Sequence, residues 1–168
     1  MVAEALVLFV VPALLAVSAG WDFASYTIPN FLSIALFAVF VLFVTISGMA
    51  PAAIGMHALA GLAGLAMGFA LFAFGLIGGG DAKLFAVIVL WLGFKDLLDY
   101  VLMTSVFGGA LAIMLIGLRT LPLPGALAGQ QWLARLHDPH GGIPYGVALA
   151  AGALVILPHT EIFRLATA

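Results

Sequence analysis

The chain has 168 residues, of which 65% are hydrophobic and only 7% are charged, and its formal net charge is −2. Soluble domains carry about a quarter charged residues, so this composition places the chain in a lipid bilayer. Its five basic residues provide no patch for nucleic acid. The lack of cysteine excludes disulfides, iron–sulfur clusters and zinc thiolate sites.

Long apolar runs predict an all-α polytopic bundle of about six transmembrane helices. A spanning helix needs about 20 apolar residues, and these runs lack the alternation of a membrane β-strand. The first run contains Glu4 and Pro12 and has no basic flank, so we expect a retained helix rather than a signal peptide. We expect one membrane-embedded domain over 1–168, with spans at about 3–20, 30–47, 52–77, 84–94, 98–118 and 143–160.

Breaks and small residues organise these spans. The third span carries Gly61, Gly64 and Gly68 at helical spacing, which predicts close helix packing rather than a ligand path. The longest polar connection, 119–142, contains a segment at 125–137 that we predict to be a short interfacial helix.

The chemically distinctive stretch lies after the third span: Gly78-Gly79-Gly80-Asp81-Ala82-Lys83. An ionisable group at membrane depth is costly and is therefore a functional hypothesis by default. Asp22 follows the first span in the same way, ahead of Ile28-Pro29-Asn30. An even number of crossings separates the two acids, so both lie at one end of the bundle. Paired carboxylates can share a single proton, with one activating water and the other donating to a carbonyl, which is acid–base hydrolysis of an amide.

Three motifs in order resemble the type IV prepilin peptidases, a family of membrane aspartyl proteases with the signature G-x-G-D. They are Gly78-x-Gly80-Asp81, the upstream Asp22…Ile28-Pro29-Asn30, and the downstream Ile143-Pro144-Tyr145-Gly146. The resemblance covers nearly the whole chain and is closest to the short form that processes Flp-type pilins in tight-adherence pilus and secretion systems.

The resemblance implies an aspartic endopeptidase that removes prepilin leaders at the cytoplasmic face of the bacterial inner membrane, without a metal or cofactor. Asp22 and Asp81 match the family's catalytic pair. Family substrates are cut after a glycine that ends a basic leader, ahead of an apolar helix carrying a glutamate. Larger members also methylate the new terminus and carry a cysteine-containing insertion, which this chain lacks, so we assign no methyltransferase activity. Residues that we expect to bind substrate or shape the cleft are Gly78, Gly79, Gly80, Lys83, Ile28, Pro29, Asn30, Pro144, Tyr145 and Gly146.

Other readings of these residues stay open. Asp81 could cap a helix, and Lys83 could pair with an aspartate or contact lipid phosphate. His137 and His140 make only a weak metal motif. The whole chain could instead be a small transporter or proton pathway, or a scaffold of a pilus or secretion machine. The sequence leaves the oligomeric state, the identity of the pilin and the resting distance between the acids open.

Overall fold

A computed structural model of the chain describes residues 1–122, 129–139 and 141–168. This part is all-helical. Its helices are α1 (Val2–Ser25), α2 (Asn30–Ile46), α3 (Pro51–Ala73), α4 (Gly79–Leu92), α5 (Leu97–Arg119), α6 (Gln131–His137), α7 (Tyr145–Ile156) and α8 (Glu161–Thr167).

By length and composition, three helices in the described residues, α1, α3 and α5, can cross a membrane, and there are four such spans if the bent pair Tyr145–His159 and Glu161–Thr167 counts as one. Helices α2 and α4 are shorter. Each of the six predicted spans therefore corresponds to an apolar helical segment, and the chain is a polytopic helical bundle.

Helix α1 runs past the proline in its middle and ends beyond Asp22. The turn from Leu6 to Val10 is π-helical and ends two residues before Pro12. Proline lacks an N–H and crowds the carbonyl four residues earlier, and a wider turn relieves both problems. The helix closes at Tyr26, whose φ is 55°, and Pro29 in extended conformation precedes α2.

Helix α4 is the core of the bundle. Every residue from Leu84 to Leu92 is buried, as expected for a helix that is apolar all round and covered by other helices. It packs most extensively on α3, where a methyl group at Gly68 would lie 2.9 Å from the Ala82 carbonyl oxygen. Gly61 and Gly64 face Leu90 and Val89 in the same way, so the predicted glycine seam is the α3–α4 contact.

The last span, predicted at 143–160, is the helical segment Tyr145–His159, which ends in the 3₁₀ turn Leu157–His159. The chain then continues as α8, which was not predicted and is bent by 55° from this segment. Pro158 removes a backbone donor at this turn, and the Thr160 hydroxyl caps α8 by accepting from the Phe163 N–H. The short interfacial helix predicted at 125–137 corresponds to α6, which begins at Gln131 and ends at His137. Residues 125–128 of that prediction lie outside the described residues.

Candidate active site

The buried Asp22 carboxylate lies where the end of α1 meets the start of α7. Asp22 is 4% exposed, and its Oδ2 accepts a 2.7 Å hydrogen bond from the backbone N–H of Gly146. The N-terminal end of a helix carries a partial positive charge that favours a carboxylate. A methyl group at Gly146 would lie 2.8 Å from this oxygen, so only glycine lets the α7 backbone approach Asp22 this closely.

The second acid, Asp81, lies in the first turn of α4. Its Oδ2 accepts a 3.3 Å hydrogen bond from the N–H of Gly78, the residue that precedes the helix. The N-cap of α4 is therefore Gly78, and Asp81, at the third helical position, satisfies the N–H of that residue. Its Oδ1 is buried and has no hydrogen-bond partner among the described residues. A buried oxygen without a partner is uncommon and is available to a further group.

Ile28 links the two acidic regions. A methyl group added at Gly80 would lie 3.1–3.4 Å from the Ile28 backbone and Cβ. A methyl group added at Gly146 would lie 2.6 Å from Ile28 Cδ1. The Asp81 carboxylate also lies close enough to repel the Asp22 carboxylate electrostatically. The structure thus brings Asp22 and Asp81 to the same end of the bundle, on either side of Ile28.

Lys83 contacts neither acid. Its Nζ donates a 2.8 Å hydrogen bond to Oδ1 of Asn30, which joins the start of α4 to the start of α2. This contact with a neutral side chain was not among the partners that the sequence suggested for Lys83.

The other residues predicted for the cleft have packing roles in the structure. Pro29 and Pro144 precede the first residues of α2 and α7. Gly79 faces the Phe72 ring, with 3.4 Å between the ring and a methyl group placed there. The Tyr145 ring covers Gly108 of α5, where a methyl group would lie 2.5 Å from it.

Sequence reasoning missed Arg119, at the end of α5. Its guanidinium donates to two backbone carbonyls, Leu136 at 2.9 Å and Gly142 at 2.7 Å. These bonds tie α6 and the segment before α7 to the bundle, and α7 in turn holds Asp22. The only signal in the sequence was a lone arginine where an apolar helix ends.

The described residues contain no group of three or more His, Cys, Asp or Glu side chains that could hold a metal ion. His137 is in contact with the Leu121 carbonyl through Nε2. Its predicted partner in the weak metal motif, His140, lies outside the described residues.

Together the fold and this site define a polytopic membrane protein with two acidic side chains at one end of its helical bundle. The family model described as "Type IV leader peptidase family" matches residues 9–113, which is more than half of the chain and includes Asp22 and Asp81. The chain belongs to the type IV leader peptidase family. No curated protein and no solved structure gives a significant match. The segment from Pro144 to Gly146 and the Arg119 contacts fall outside the matched residues.

Proposed function

We propose that the protein is an aspartic endopeptidase that removes leader peptides from Flp-type prepilins at the cytoplasmic face of the bacterial inner membrane. One observation carries this proposal. Asp22 and Asp81 lie at one end of the bundle, each with one oxygen held by a backbone N–H beside a helix start. Membership of a leader peptidase family supplies the reaction class.

The chemistry requires one proton shared between the two carboxyl groups. The ionised group takes a proton from a water molecule as its oxygen attacks the scissile carbonyl carbon, and the protonated group donates to the carbonyl oxygen. The tetrahedral intermediate then collapses, the C–N bond breaks, and the amine leaves with a proton from the dyad.

The distribution of basic residues supports the cytoplasmic orientation. Lys83, Arg119 and Arg135 belong to the end that carries the acids, whereas Lys95 and Arg164 belong to the other end. Lys and Arg are enriched on the cytoplasmic side of membrane proteins, so three against two favours the acids facing the cytoplasm.

The test uses the purified protein in lipid nanodiscs and a prepilin-type peptide with a basic leader ending in glycine. Asp22→Asn and Asp81→Asn should each lower the cleavage rate by at least about a hundredfold, since positioned acid–base groups contribute about 10²–10⁴. Asp99→Asn is the matched control because Asp99 is an exposed acid at the opposite end of the bundle. Cleavage at the wild-type rate by either dyad variant would refute the assignment.

A further inference from the structure

A cavity of about 280 Å³ lies at the end of the bundle opposite the candidate active site, near the start of α3, the turn between α4 and α5, and the start of α8. Two exposed apolar side chains, Met56 and Phe94, line it, so the cavity opens at the lipid-facing surface. Charged side chains of both signs also line it, and they are Lys95, Asp96 and Glu161. No salt bridge joins these three residues to one another in the part of the chain that the structure describes. Their charges are therefore available to a ligand that carries both signs.

A buried histidine, His57, lines the same cavity. It is 7% exposed, and its Nδ1 lies 2.9 Å from the carbonyl oxygen of Leu90. A carbonyl can only accept, so Nδ1 carries the proton, and Nε2 of the neutral ring is an acceptor. Nε2 has no hydrogen-bond partner among the residues that the structure describes. A polar atom of a buried side chain is usually paired, so this nitrogen is available to a donor from outside the chain.

Gly93 leaves the Nε2 edge of this ring open. Its φ is 75°, a conformation that residues with a side chain rarely adopt. A methyl group added there would lie 3.0 Å from Cε1 and 3.4 Å from Nε2 of His57. Because Gly93 itself lines the cavity, the edge of the ring that carries Nε2 borders the cavity.

These groups define the ligand by its charge and its hydrogen-bond donors. The acceptor nitrogen of His57 and the carboxylates of Asp96 and Glu161 match a positively charged group with several N–H donors, which is a primary ammonium. The Lys95 ammonium matches a phosphate. A metal ion does not fit, because no three ligating side chains converge anywhere in the described ranges. An ammonium and a phosphate joined by two carbons, at a cavity that opens to lipid, are the headgroup of an ethanolamine phospholipid.

We propose that this cavity binds the headgroup of a phospholipid that carries a primary ammonium. Glu161, Asp96 and His57 Nε2 accept hydrogen bonds from the ammonium, and Lys95 binds the phosphate. Charged pockets between membrane helices bind particular head groups in this way, because the acyl chains stay in the bilayer. The bound headgroup links α3, the α4–α5 turn and α8. The inference is independent of the proposed peptidase function, since the cavity lies at the other end of the bundle.

The first test compares phosphatidylethanolamine with phosphatidylcholine. Phosphatidylcholine has the same phosphate but carries three methyl groups in place of the N–H donors. The purified protein in detergent is titrated with each lipid, and the bound lipid is counted by native mass spectrometry. For the wild-type protein we expect phosphatidylethanolamine to bind about tenfold more tightly, because the methyl groups remove hydrogen bonds to charged acceptors. Equal affinities for the two lipids would overturn the proposal.

Two substitutions of exposed residues separate the two halves of the headgroup. Glu161→Gln should lower the ratio of the two affinities about threefold, because it removes a partner of the ammonium only. Lys95→Gln should weaken both lipids about threefold and keep their ratio, because both lipids carry the phosphate. Glu4→Gln is the matched control, since Glu4 is an acid at the same end of the bundle and outside the cavity wall. A full preference in Glu161→Gln, or a loss of the same size in Glu4→Gln, contradicts the assignment.

The cavity itself is tested by filling it. Ala53 lines it, whereas its neighbour Ala52 is exposed and lies outside the wall. Ala53→Trp should weaken phosphatidylethanolamine binding at least about tenfold, and Ala52→Trp should bind it as the wild type does. Equal affinities in the two variants would show that the lipid binds elsewhere. If ethanolamine without acyl chains displaces the bound lipid at equal concentration, the occupant is a free amine, and the lipid assignment is wrong.

Discussion

Replacing Gly146 with alanine tests whether the α7 backbone sets the position of Asp22. The added methyl group would lie 2.8 Å from Asp22 Oδ2 and 2.6 Å from Ile28 Cδ1. Ordinary contact begins near 3.4 Å, so the carboxylate must move by about 3.4 − 2.8 = 0.6 Å. Misplacement by about 1 Å costs about a hundredfold in rate, so we expect kcat to fall roughly ten- to a hundredfold.

The assay is single-turnover cleavage of the prepilin-type peptide, together with thermal unfolding in detergent. Gly20→Ala is the matched control, because Gly20 lies on α1 close to Asp22 in sequence and a methyl group there meets nothing within 4 Å. We expect the control to keep the wild-type rate. If Gly146→Ala also cleaves at that rate while remaining folded, the Gly146 N–H does not position a reacting carboxylate.

Three further outcomes follow from the fold and the site. Gly68→Ala should lower the free energy of unfolding by about 1–3 kcal/mol, measured by thermal unfolding, because the added methyl group meets Ala82 backbone atoms that cannot rotate away. Gly55→Ala on the same helix is the control and should not cause this loss, because a methyl group there has open space. Arg119→Lys should lower kcat about tenfold and speed hydrogen exchange in α6, because an ammonium group does not reach the carbonyls of Leu136 and Gly142 together. Unchanged exchange in α6 would show that the Arg119 hydrogen bonds do not hold this helix. The cleavage rate should fall on both sides of an optimum pH, because two protonated carboxyls leave no base and two ionised carboxyls leave no donor; a rate that stays flat across the acidic range would contradict the shared proton.

Composition and the runs of apolar residues were sufficient to predict the class of fold. In lipid every backbone polar group must be satisfied internally, so runs of this length fold as helices. The glycine seam was also predictable, because Gly61, Gly64 and Gly68 recur on one face of α3 and only small residues let helices approach closely. Helix α8 was not predicted, because it has only seven residues and is therefore too short to be recognised as a span.

The arrangement around the acids was only partly predictable. Motif order indicated that Asp22 and Asp81 belong together, but nothing in the sequence says which group donates to Asp22. The donor is the main-chain N–H of Gly146, and every residue except proline has such a donor. The Arg119 contacts were unpredictable for the same reason, since their acceptors are carbonyls of Leu136 and Gly142.

The hydrogen bond between Asp22 and Gly146 joins residues 124 positions apart in the chain. During translation Asp22 is therefore synthesised long before Gly146, whose N–H is its hydrogen-bond donor. Until α7 has entered the bilayer, Asp22 lacks the backbone N–H that fixes its carboxylate. A nascent chain at that stage contains both Asp22 and Asp81, but Asp22 is not yet held in position. Insertion of α7 is consequently the step that would complete the proposed active site, and a nascent chain interrupted before residue 143 should stay inert even with both aspartates in place.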